Sequence, residues 1–82
     1  GKYYISRGQT YQKLGLIDKA LIDYNTAIDL KTDHPTAVLN RMEINYNKGY
    51  YTLVEKDLKY CKENNISVDD KYSLINNRTS PN

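Results

Sequence analysis

The 82-residue chain has no tryptophan and no phenylalanine, a single cysteine, a single histidine, two prolines and four glycines. Each scarcity removes a class of protein. One thiol, Cys61, excludes an internal disulfide and a cysteine-based metal cluster, and reads as a small buried residue in a reducing compartment, so an intracellular, cytoplasmic setting is expected. With only His34, in the segment before Pro35, there is no His pair at metal-ligand spacing and no Cys-His or Ser-His arrangement. A phosphate-cradling Gly loop is also missing, so the chain reads as a non-enzyme with no cofactor and no metal. No apolar run approaches the roughly 18 residues of a bilayer span, and no membrane insertion is expected. Twelve Lys and Arg against ten Asp and Glu leave a net charge of +2, dispersed along the chain rather than gathered on one face. No nucleic-acid partner is expected on that ground. The chain opens on Gly1 rather than Met, as a segment cut from a longer protein would.

What is present is tyrosine, nine of them, mostly at helical spacing with small residues between. Residues 2–14 hold no Pro and set Tyr4, Gly8, Tyr11 and Leu14 along one helical face, and Gly15 can close that helix in the left-handed region. A second helix is expected from Asp18 to Leu30, with Ile17, Ala20, Leu21, Tyr24, Ala27 and Ile28 in one stripe and Asp18 as N-cap or first-turn acid. So short a link makes the pair antiparallel. His34 reads as a loop residue, and Pro35 suits the first turn of a third helix running to Lys48, stopped by Gly49. Thr52-Leu53-Val54-Glu55 has capping-box spacing for a fourth helix reaching Glu63, with Tyr51, Val54, Leu58 and Cys61 inward. Asn64 and Asn65 end it. A second capping box, Ser67 to Asp70, predicts a fifth helix over 68–76 carrying Tyr72 and Ile75, followed by a short polar tail.

Shifted by 34 residues, the chain pairs Arg7 with Arg41, Gly15 with Gly49 and Asp23 with Asp57, and matches Ala20 with Val54 and Ala27 with Cys61 in size class. A helix-turn-helix unit at that period resembles the tetratricopeptide repeat (TPR). The signature falls on Tyr4, Gly8, Tyr11, Gly15, Ile17, Ala20, Tyr24 and Ala27, with Arg7 in place of the expected Leu and the expected Pro near Thr32 missing. The resemblance implies an all-α fold, a right-handed α-solenoid of antiparallel helix pairs with about five helices. Its units fall at 1–34, at 35–67 (divergent) and at 68–77 (a capping or partial third unit), with a frayed tail over 78–82. Tyr4, Gly8, Tyr11, Ala20, Tyr24, Ala27, Val54 and Leu58 are then the packing residues. Met42 and Val54, larger than the small residues usual there, are expected to loosen the second unit.

Such scaffolds bind through a concave face, which the resemblance places on Ile5, Gln9 and Gln12 of the first helix and Leu39, Asn40, Glu43 and Tyr46 of the third, with Asp70, Ser73, Leu74 and Asn77 from the fifth. A groove of amides and a few apolar anchors suits an extended or helical peptide of another protein. Of the clamp that holds chaperone carboxylate tails, only Asn40 stands in place, and the missing cations disfavour that ligand. The alternative function is structural: stacking on further repeats or on a second copy through the solenoid ends, giving a homo-oligomer.

Overall fold

A computed structural model describes residues 2–31 and 34–73; within it lie four α-helices and one 3₁₀ turn, and no strand occurs among the described residues. The helices are α1 (Lys2–Lys13), α2 (Ile17–Asp29), α3 (His34–Lys48) and α4 (Tyr51–Glu63), followed by the 3₁₀ turn Asp70–Tyr72. The chain is all-helical, and each helix packs chiefly on its neighbours in sequence, with a lesser α1 to α3 contact.

The two tight turns are set by glycine. Gly15 and Gly49 sit at φ +80° and +82°, a region open to Gly at no steric cost. Beyond each glycine the next residue takes the same conformation, Leu16 at φ −86°, ψ 68° and Tyr50 at φ −85°, ψ 66°, and serves as N-cap without a side-chain hydrogen bond. The expected capping box at Thr52 therefore does not form: the glycine turn starts α4 at Tyr51, and Thr52 falls inside the first turn. Asp18 is a first-turn acid of α2. Pro35 lies in the first turn of α3, which begins one residue earlier, at His34.

The expected fifth helix differs more. Residues 66–69 are not helical, and the cap is Asp69, whose carboxylate accepts from the Lys71 backbone N–H at 2.9 Å, so Ser67 has no capping role. Asp70–Tyr72 form a 3₁₀ turn and Ser73 is helical, and 74–82, with Leu74, Ile75 and Asn77, lie outside the described residues.

Two apolar clusters carry the fold. The first joins Ile5, Ala20, Tyr24, Ala27, Ala37 and Ile44, flanked by Tyr4, Tyr11, Ile17, Leu21 and Ile28. The second joins Val38, Met42, Val54, Cys61 and Tyr72, flanked by Leu39, Tyr46, Leu58, Ile66 and Val68. In the first hairpin the Tyr24 ring lies directly on Gly8, where a Cβ would stand 2.7 Å from a ring carbon. Leu14, placed by periodicity on the apolar stripe, is 67% exposed, because the helix has already ended at Lys13.

The 34-residue pairing of Arg and Asp has a structural counterpart. Arg7 donates through Nε and Nη2 to the two oxygens of Asp23 at 2.8 and 2.7 Å, and Arg41 does the same to Asp57 at 3.2 and 2.7 Å. Both carboxylates are buried, and a forked guanidinium is the partner that makes such burial tolerable. The remaining bond differs: Arg7 Nη1 donates to Tyr3 on its own helix, whereas Arg41 Nη1 donates at 2.9 Å to Asn25 on α2 and so ties the second hairpin to the first.

Candidate functional site

The residues expected to form a peptide surface come from the α1 and α3 faces that meet where Gln12 Nε2 donates to Glu43 Oε1 at 3.4 Å. Gln12 is held from below. The hydroxyl of Tyr24 donates to Gln12 Oε1 at 2.7 Å, so a core tyrosine orients a surface amide. Burial pushes the Tyr24 phenol up to about 12, with the nearby Asn40 amide pulling the other way and the Glu43 charge adding to the rise.

On either side of this contact lies a shallow hollow. One, of about 490 Å³, is lined by Gln9, Gln12 and Lys13. The other, of about 220 Å³, is lined by Leu39, Asn40 and Glu43 of α3 and by Ser67, Val68, Asp69 and Tyr72 of the segment after α4. Asn40 turns inward, its Nδ2 buried without a hydrogen-bond acceptor. Tyr46 stands half-buried between Tyr51 and Tyr72, edge-on to Tyr72 at a centroid distance of 5.2 Å. Lys71 places its Nζ 5.1 Å and 5.2 Å from the Tyr46 and Tyr72 ring centroids and 3.9 Å from Glu43 Oε2. Burial also raises the Tyr72 phenol to about 12.

Gln9, Gln12, Leu39, Asn40, Glu43 and Tyr46 are thus disposed around one surface. Ile5 is not. It is only 4% exposed and belongs to the first cluster, with Ala20, Tyr24 and Ala27 of α2 and Ala37 and Ile44 of α3, so the aliphatic anchor expected on α1 is core. Asp70 and Ser73 face the α4 side instead, lining a hollow with Leu58, Cys61 and Lys62. In their place Val68, Asp69, Lys71 and Tyr72 border the surface. The 34-residue shift carried the signal for Tyr72, which it sets opposite the core residue Val38.

The packing residues fall as follows. Ala20, Tyr24, Ala27 and Val54 are fully buried and Gly8 is buried, while Tyr4, Tyr11 and Leu58 are half-buried against the two clusters. Cys61 is a buried free thiol, its ionisation pushed up by burial and by the Asp57 charge. Among the described residues no group of three or more His, Cys, Asp or Glu side chains is placed to hold a metal ion, and no helix is long and apolar enough to cross a membrane. Comparison of the chain with protein-family models, with curated proteins and with solved structures gives no match.

Proposed function

We propose that the two hairpins are TPR-like units of a protein-interaction module, and that the α1 and α3 surface binds a peptide segment of another protein. The supporting observation is the Tyr24 to Gln12 to Glu43 hydrogen-bond chain. It fixes amide and carboxylate groups between two hollows, and preorganised polar groups beside apolar walls are what a peptide backbone requires. Without cations at the clamp positions and with Glu43 central, the surface favours neutral or basic peptides over acidic tails.

A second reading, stacking on a further helix, draws on one contrast. Ala37 and Ile44 of α3 are buried against the first hairpin, whereas Tyr3 and Thr10, 34 positions earlier on α1, are exposed, Tyr3 at 61%. The α1 face is thus open where α3 is covered.

The groove reading is tested by selecting displayed random peptides on the protein and re-measuring the winners on Gln9→Glu and Glu43→Lys, two changes at solvent-accessible positions. Peptide affinity is expected to fall about tenfold or more, 1.4 kcal/mol, at an unchanged melting temperature. Winners indifferent to both changes would reject the groove, and winners lost on Tyr3→Glu alone would move the interaction to the open α1 face.

A further inference from the structure

The two hairpins differ at one position in a way that leaves a space. In the first, Tyr11 lies under two cations, its ring centroid 5.5 Å from the Arg7 guanidinium carbon and 5.8 Å from Lys19 Nζ. Thirty-four residues on, Arg7, Tyr11, Lys19 and Asp23 become Arg41, Asn45, Leu53 and Asp57. The guanidinium and its carboxylate are kept, and the ring is gone.

The counterparts Arg41, Asn45, Leu53 and Asp57 all line a cleft of about 380 Å³ between α2 and α4. Leu21 and Leu53 form its apolar sides, Arg41 and Asn45 its inner wall, and Asn25 and Lys56 its rim. Asn45 is only 6% exposed and lines the cleft. A buried amide that opens onto a cleft is costly unless something pairs with it. Arg41 is 28% exposed there, and its fork to Asp57 and Asn25 fixes the guanidinium so that its plane cannot turn away.

We propose that this cleft is a receptor for a tyrosine side chain presented by a partner protein. The internal template supplies the argument: the same Arg-Asp fork in the first hairpin holds a tyrosine ring against its guanidinium. A ring entering between Leu21 and Leu53 meets apolar sides and the Arg41 cation, an arrangement aromatic rings favour. The phenol hydroxyl, both donor and acceptor, can pair with the Asn45 amide in the cleft as a purely aliphatic group cannot. The cleft shares no residue with the α1 and α3 surface, so the protein has two separable points of engagement.

The test uses p-cresol, the tyrosine side-chain analogue, titrated into ¹⁵N-labelled protein, with 4-methylcyclohexanol as a non-aromatic match. p-Cresol is expected to shift the amides of Leu21, Asn25, Asn45 and Leu53, and the cyclohexanol to bind more weakly. Asn45→Tyr, which restores the first hairpin's ring, fills the cleft: it abolishes the p-cresol shifts and raises the melting temperature. Leu53→Asp, at an exposed side of the cleft, serves should Asn45→Tyr misfold, and is expected to weaken p-cresol about tenfold. Equal binding of the two probes, shifts scattered over the molecule, shifts surviving in a folded Asn45→Tyr, or an unchanged p-cresol affinity in Leu53→Asp would overturn the proposal.

Discussion

The two hairpins solve one packing problem with different pairs of side chains. In the first, the smallest residue faces one of the largest, Tyr24 seated on Gly8; in the second, Met42 and Leu58 stand at the corresponding positions. α1 and α2 accordingly lie close over more of their length than α3 and α4. A backbone that can approach its partner gains contact along the whole helix, whereas an unbranched thioether fills whatever gap the helices leave. The first hairpin is therefore intolerant of added volume and the second of lost volume. The Arg-Asp forks use the same donor and acceptor atoms in both hairpins, so the ion pair is shared while the packing differs.

The largest effect expected from this contrast is at Met42. Met42→Ala empties a fully buried site and is expected to cost about 2–5 kcal/mol in chemical denaturation, against about 1–3 kcal/mol for overpacking by Gly8→Ala. A neutral Gly8→Ala would mean that the Tyr24 ring moves aside, and the first hairpin would not be the tighter one.

Next come the forks. Arg41→Ala leaves the Asp57 carboxylate buried without its donor and is expected to cost about 1–3 kcal/mol. Because Arg41 also holds Asn25, a double-mutant cycle between them should show coupling across the hairpins, whereas Arg7 with Tyr3 couples within α1 alone. Equal coupling in the two cycles would remove the distinction.

The smallest change at neutral pH is Tyr24→Phe, about 0.5–1.5 kcal/mol for the bond to Gln12. Its signature is at alkaline pH. The phenols of Tyr24 and Tyr72 rise on folding from 10.0 to about 12, so the folded state retains protons that the unfolded state releases. That stabilisation is complete below pH 10 and is lost as the pH climbs towards 12. Melting temperature against pH should therefore fall over this window in the wild type and fall less in Tyr24→Phe.

Much of the helical order was legible because apolar spacing and two glycines carry it: Gly15 and Gly49 announce turns that a left-handed φ then realises. The caps were not, since Thr52 and Ser67 have the right chemistry, but the glycine turn and Asp69 reach the helix starts first. Ile5 was misplaced for a different reason. Its cluster draws on α2 and on α3 of the next hairpin, and the amphipathicity of one helix cannot register a surface contributed by others. Tyr72 and Lys71 reached the α3 surface through a non-helical 66–69, of which a capping motif had suggested that 68 and 69 were helix. The Arg and Asp positions were visible as a 34-residue correspondence, but that they bind each other across 16 residues emerges only when both hairpins close.

That span of 16 residues bears on how the chain folds. The forks join positions 16 apart, and the longest side-chain tie on the α1 and α3 surface joins positions 31 apart. Closing loops this short costs little entropy, and a topology with mostly local contacts folds rapidly. Each hairpin can thus be assembled as soon as its second helix is available, the first serving as a template for the second. Opening can begin at either end without unlocking the other, so protection from amide exchange should be graded along the chain.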